Sequence, residues 1–245
     1  DPPAHPARGR GAVPRPPPLH RFLPRRSSGV LLHLTSLPGR HGSGDLGAAA
    51  HHFVDWLALA GQTLWQILPL TPPGAGQSPY QSPSAFAGSP WLVDLDDLVT
   101  SGWLKPLPDP RFDERQCEFN RVIPYRLNAL RAAWQGFVAH GSDADREALA
   151  AFTRSQAGWL DDYALFMVLQ DRHGPAWPRW PQPLARRDPL ALKAARDTAV
   201  AELGFWHFVQ WRFHVQWRRL RAYAHTRGVH IVGDAPIFVA HQSAD

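Results

Sequence analysis

The chain has 245 residues, 44% of them hydrophobic and 19% charged, which suits one large globular domain rather than a disordered polymer. No apolar run approaches the roughly 20 residues of a membrane-spanning helix, and the single cysteine, Cys117, excludes a disulfide scaffold and suits a reducing, cytoplasmic setting. The formal charge of +5 lies wholly in residues 1–26, where six arginines face one acid, while residues 27–245 carry 20 basic and 20 acidic side chains; no nucleic-acid or membrane partner is expected from that balance.

Residues 1–26 also hold eight of the 25 prolines and read as a disordered leader, without the roughly 7–15-residue apolar core of a secretory signal. Order begins at Gly29–Leu34, a buried strand by its β-branched and leucine-rich composition. A glycine-rich turn follows, and Asp45 is placed to N-cap a helix whose apolar face would be Ala49, Phe53, Trp56, Leu57 and Ala60. Gly61 stands where a C-terminal glycine cap belongs. Thr63–Leu68 reads as a second buried strand, stopped by Pro69. Strand, helix and strand in about forty residues spell a parallel βαβ unit.

A loop dense in Ser, Pro and Gly then runs from Pro69 to Pro90, and loops of that length tend to be functional. Helical periodicity starts near Tyr125 with Leu127, Leu130, Trp134 and Phe137, ended by Gly141. A shorter helix is expected over Asp145–Ala157. Another follows on Trp159, Tyr163, Phe166 and Gln170, with Asp161 and Asp162 in its first turn and Gly174-Pro175 as its stop. A long helix carries Trp206, Val209, Phe213, Trp217 and Leu220, with arginines crowding its C-terminal turns. Gly228 ends it, and Val229–Asp234 is expected as a third buried strand.

In parallel α/β folds, ligands gather at the C-terminal ends of the strands. Asp234 sits where the third strand opens into a loop, and it supports two readings: a turn or cap aspartate, or a carboxylate that serves a ligand. Tyr80 stands among small, rigid residues, so its ring either pins the loop or stacks on a ligand while its hydroxyl hydrogen-bonds. Ser78 and Ser84 are weaker candidates, since serine in a proline-rich turn is usually structural. No phosphate loop, no nucleophile elbow and no metal-spaced histidine pair is present, so no cofactor or metal is expected.

Several ordered blocks carry a resemblance. They are Ser28–Gly39 (SGVLLHLTSLPG), Gly44–Gly47 (GDLG), Trp65–Leu70 (WQILPL), Ser78–Gly88 (SPYQSPSAFAG), Asp94-Leu95, Gly102–Leu104 and Gly233–Ala240 (GDAPIFVA). Together the chain resembles the amylomaltases, the 4-α-glucanotransferase or disproportionating-enzyme family, over about 27–245. The resemblance implies an α/β fold, a (β/α)8 TIM barrel with helical inserts, of which strands one to three would lie here. It divides the chain into a leader (1–26), two strands with a substrate loop (27–96), a mainly helical insertion (97–227) and a third strand (228–245).

It also implies transfer of a segment of an α-1,4-glucan to the 4-hydroxyl of an acceptor glucose or maltooligosaccharide, through a covalent glycosyl-enzyme. Ser78, Tyr80 and Asp234 inherit substrate contacts. The family's nucleophile, acid/base and stabilising carboxylates match no residue before Asp245, so no catalytic residue is carried over and the chain alone is expected to be inactive. A hydrolytic α-amylase relative and a non-catalytic glucan-binding remnant are the alternatives.

Overall fold

The computed structural model describes residues 26–113, 115–235 and 240–245; the expected leader over 1–26, apart from Arg26, and the 236–239 part of the last resemblance block lie outside these. Three short parallel strands, β1 (Gly29–Leu31), β2 (Leu64–Gln66) and β3 (His230–Val232), pair in the order β1-β2-β3. Val30, Trp65 and Ile231 share one row, and Leu31, Gln66 and Val232 the next. Successive side chains alternate between the two faces. Trp65 is fully buried, its ring edge-on to Phe53 at 5.0 Å, whereas Leu31 and Val232 are 57% and 40% exposed. The first and third strands, expected to be buried, are thus covered on one face only.

Helix α1 (Ala48–Leu59) corrects two expectations. Its N-cap is Gly47, not Asp45. The Asp45 carboxylate accepts the Gly47 amide at 3.0 Å and Arg126 Nη2 at 2.8 Å, so it ties down the turn before the helix. The buried face is Ala50, Val54 and Leu57, so of the expected stripe Leu57 is fully buried, Ala49 and Phe53 are partly buried against the core, and Trp56 is 50% exposed and stacks on Phe53. Gly61 does end the helix. Its φ of +69° favours glycine, and the Gly61→Ala58 and Gln62→Leu57 amide bonds form a Schellman cap.

The Pro69–Pro90 loop is not wholly irregular: it holds a 3-10 turn at Ala75–Gln77 and ends on another at Pro90–Leu92. Helix α2 (Leu95–Thr100) follows, N-capped by Asp94. Helix α3 (Phe119–His140) starts six residues before the expected Tyr125 and carries Pro124 inside. Its first turn closes through the Arg121 and Val122 amides on the Glu118 carbonyl, which tolerates a proline one turn later. Helix α4 (Asp143–Ser155) opens on a capping box between Ser142 and Asp145.

Helix α5 (Leu160–His173) buries more than the expected stripe, because it faces two clusters. Tyr163, Ala164 and Val168 join the main core, while Leu165, Phe166 and Leu169 pack with Trp180 and Leu192 of the α6 (Gln182–Ala185) and α7 (Pro189–Asp197) region. The long α8 (Val200–Thr226) buries Trp206, Val209, Phe213 and Leu220 as expected. Two of its C-terminal arginines are not simply dipole partners. Arg219 pairs with Asp97 at 2.9 Å, and Arg227, just past the helix, with Asp55 at 3.1 Å.

Buried polar groups join these layers. Arg126 of α3 has no exposed surface and donates to the carbonyls of His41, Val93 and Ser43 at 3.2, 3.1 and 3.0 Å besides Asp45. Gln210 of α8 receives the Gly88 amide and donates to its carbonyl, both at 2.8 Å, and Gln216 makes the same pair of bonds with Asp94 at 2.8 and 3.1 Å. Asp97 collects Arg212, Gln216 and Arg219.

Arg126→Met should lower stability by about 3–5 kcal/mol, because it leaves Asp45 buried and unpaired; the check is a lower urea midpoint at unchanged slope. Burial, then the nearby Asp45 charge, pushes the Asp94 carboxyl up to about 6. A raised folded pKa means the native state holds the proton more tightly, so this contribution is present below the ordinary Asp range and is lost as pH rises through about 6. Asp94→Asn keeps a cap acceptor and should stabilise the protein at pH 7, by roughly 1–3 kcal/mol, with little change at pH 4. Equal effects at both pH values in urea melts would contradict this.

Candidate functional site

The loop after β2 is closed on itself. The Gly74 amide donates to the Gln81 carbonyl, the Gln77 amide to Gly74 at 3.2 Å and the Gln81 amide to Ser78 at 3.2 Å. A Cβ at Gly74 would lie 2.2 Å from the Gln81 carbonyl oxygen, so only glycine allows the closure. Gly76 and Gln77 both take positive φ, +76° and +58°, turning the chain sharply just before Ser78. Such a backbone at a non-glycine residue costs on the order of 1 kcal/mol and is held by its surroundings.

Tyr80 stands on this loop, 43% exposed, and its Oη donates to Asp234 Oδ2 at 2.7 Å across 154 residues of sequence. Asp234 lies two residues past β3 and is exposed; its Oδ1 accepts the Ala235 amide at 2.8 Å. That carboxylate, by accepting the phenolic proton, pushes the Tyr80 pKa up. Two of the three sequence candidates therefore meet at the C-terminal side of neighbouring strands. Ser78 does not join them: its Oγ accepts the Tyr80 amide at 3.3 Å, inside the turn.

Neighbouring residues complete the setting. Ser84, fully buried, accepts the Phe86 and Ala87 amides at 3.1 and 3.3 Å and donates to Asp245 Oδ1 at 3.3 Å. The Ala244 amide donates to the Pro83 carbonyl at 2.7 Å, so the same loop is held a second time by the 240–245 segment. Phe86 is 61% exposed and stacks on Trp159 with rings 6.3 Å apart and 20° off parallel. Sequence reasoning weighed Ser84 beside Ser78 as usually structural, but it gave no sign of the Asp245 partner, because a distant aspartate carries no pairing signal. Among the described residues no group of three or more His, Cys, Asp or Glu side chains is arranged to hold a metal ion, and no helix is long and apolar enough to cross a membrane.

The sequence matches the family model described as 4-alpha-glucanotransferase over residues 32–245. It is 47% identical to the 4-alpha-glucanotransferase of Thermus thermophilus over 221 residues, covering 90% of this chain and 44% of that protein. It is 44% identical to the one from Synechocystis, covering 91% and 45%. The fold superposes on the amylomaltase of Streptococcus agalactiae in complex with acarbose with a TM-score of 0.85 at 34% identity, covering 90% of this chain and 45% of that one. The architecture is the amylomaltase α/β fold, and the chain spans a little under half the length of these relatives.

Removing the acceptor should free the phenol: in Asp234→Ala, Tyr80 should ionise at lower pH than in the parent protein. Ultraviolet difference titration reads this among only four tyrosines, and superimposable curves would mean that the two groups are not bonded in solution.

Proposed function

The chain belongs to the 4-alpha-glucanotransferase family, and from that premise we propose that it forms part of an enzyme that passes a segment of an α-1,4-glucan to the 4-hydroxyl of an acceptor glucose or maltooligosaccharide. The observation that supports this best is the Tyr80–Asp234 pair, carried on a closed loop and a strand end. A phenol ring offers an apolar face to the C–H side of a sugar, and the paired hydroxyl and carboxylate oxygens offer acceptor lone pairs to sugar hydroxyls. The arrangement recognises a neutral, hydroxyl-rich ligand.

Asp234 is read as a substrate-binding group and not as the nucleophile. One of its oxygens accepts the Ala235 amide and the other the Tyr80 hydroxyl, and its exclusion as nucleophile rests on the resemblance. In a retaining double displacement one carboxylate attacks the anomeric carbon while a second carboxyl protonates the leaving oxygen, and the pair sits about 5–5.5 Å apart. Neither role is assigned to a residue of this chain. Ser78 is proposed to act through the turn, by presenting Tyr80.

The proposed frame is three strands of a (β/α)8 barrel, with residues 27–96 bearing the substrate loop, 97–227 the helical insertion and 228–245 the third strand, working in the cytoplasm. The three parallel strands and the TM-score of 0.85 to an amylomaltase support it.

Isothermal titration of this chain with maltotriose should show binding that Tyr80→Ala weakens about tenfold or more, equivalent to at least roughly 1.4 kcal/mol, and that Ser78→Ala weakens less. Unchanged affinity in Tyr80→Ala would sink the site. Incubation of the 245-residue chain with maltotriose should yield neither glucose nor longer maltodextrins, and their appearance would overturn the assignment of catalysis to residues outside it.

A further inference from the structure

The stretch of chain after β3 meets the loop after β2 at two separate places. Asp234, two residues past the strand, accepts the Tyr80 hydroxyl at 2.7 Å. Eleven residues further on, Asp245 accepts the Ser84 hydroxyl at 3.3 Å with Oδ1 and the Ala85 amide with Oδ2. Beside it the Ala244 amide donates to the Pro83 carbonyl at 2.7 Å. Both oxygens of one carboxylate thus hold two consecutive loop residues, four and five positions beyond Tyr80.

The segment that carries Asp245 is itself anchored. Trp177 Nε1 donates to the His241 carbonyl at 2.9 Å, the Ser243 amide closes a turn on Ala240 at 3.0 Å, and Ala244 packs on the cluster of Leu165, Phe166, Leu169, Trp180 and Leu192. The loop has little slack between Tyr80 and Ser84. Ser82 Oγ donates to the Ser84 carbonyl at 2.6 Å and accepts the Ser84 amide at 3.2 Å, and Gln81 is bonded to Gly74 and Ser78. A displacement at Ser84 is therefore passed along the chain to Tyr80. The Tyr80–Asp234 bond joins two exposed groups and competes with water, so how often it forms depends on how closely the loop is registered against the strand end.

We propose that Asp245 is a positioning residue, which acts through Ser84 and Ala85 to hold the loop where the Tyr80 phenol meets Asp234. Its importance for glucan binding rests on the function proposed above; its coupling to the Tyr80–Asp234 bond rests on the hydrogen bonds alone. The helical cluster around Trp180 thereby supports the Tyr80 loop through a single short segment of chain.

The test follows the Tyr80 phenol by ultraviolet difference titration in the 245-residue chain. Asp245→Ala removes both acceptors. Asp245→Asn removes the charge but keeps a carbonyl oxygen for the Ala85 amide and an N–H for the Ser84 oxygen. Tyr80 should ionise at lower pH in Asp245→Ala than in the parent, towards its midpoint in Asp234→Ala, while Asp245→Asn stays near the parent. In the Asp234→Ala background, Asp245→Ala should move the midpoint no further, because no bond is left to lose. Tyr125, Tyr163 and Tyr223 should titrate as in the parent. The proposal is overturned by an unmoved midpoint in Asp245→Ala, by an equal shift in Asp245→Asn, which marks lost charge rather than lost position, by an undiminished shift in the Asp234→Ala background, or by shifts spread over all four tyrosines, which mark a loosened fold. Maltotriose titration separates this role from the functional reading. Where the parent binds, Asp245→Ala should bind about threefold more weakly or worse and Asp245→Asn close to the parent; equal affinity in Asp245→Ala overturns the role. No binding by the parent sinks the functional reading, and the phenol titration then decides the role of Asp245 by itself.

Discussion

A guanidinium with no exposed surface must find acceptors inside the protein, and Arg126 finds four of them in two loop segments. Arg126 reaches the His41 and Ser43 carbonyls and the Asp45 carboxylate in the loop after β1, and the Val93 carbonyl in the segment before α2. One side chain on α3 therefore fixes two segments that would otherwise be long surface loops. The cost of desolvating the charge is offset only because the carboxylate and all three carbonyls are present. Asp94 shares the space around Gly47 with Asp45, where a Cβ would lie 2.7 Å from the Asp94 carboxyl carbon, and burial first, then the Asp45 charge, holds its proton more tightly.

Helix α8 continues the same work further along the chain. Its Gln210 and Gln216 grip Gly88 and Asp94, positions that are six residues apart on both partners. Six residues rise about 9 Å along a helix, while six extended residues would span about 20 Å. The strap from Gly88 to Asp94 can match the helix only if it is shortened, and the 3-10 turn at Pro90–Leu92 does this. Each glutamine amide imitates a peptide group, satisfying an N–H and a C=O that a non-helical strap would leave without partners.

Much of the scaffold was legible from residue pattern. The βαβ opening, Gly61, Gly141, Gly174 and Gly228 as stops, and the apolar stripe of α8 all follow from periodicity and backbone preference, which act over a few residues. What failed was whatever depended on a distant partner. Asp45 looks like a cap until a buried arginine 81 residues away claims its carboxylate. Arg126, Gln210, Arg212 and Gln216 are the buried links between layers, and no local pattern singles them out. Tyr80 and Asp234 were each found by their places at strand ends, but nothing local in either segment announces a bond across 154 residues. Ser78 was offered by the resemblance as a glucan contact; its hydroxyl oxygen accepts the Tyr80 amide.

That bond also sets the terms on which anything can bind. Tyr80 and Asp234 are exposed, so their hydrogen bond adds little to stability in competition with water. Its effect is on position. The phenol sits at the end of a short loop whose ends are joined at Gly74 and Gln81 and whose backbone is turned by Gly76 and Gln77, so few conformations remain open to the ring before Asp234 selects one. A hydroxyl-bearing ligand that reaches Asp234 meets a carboxylate already oriented by the Ala235 amide and a ring already oriented by the carboxylate. It can replace or share the Tyr80 bond with one of its own of similar strength, while the entropy of ordering the loop has been met in folding rather than in binding.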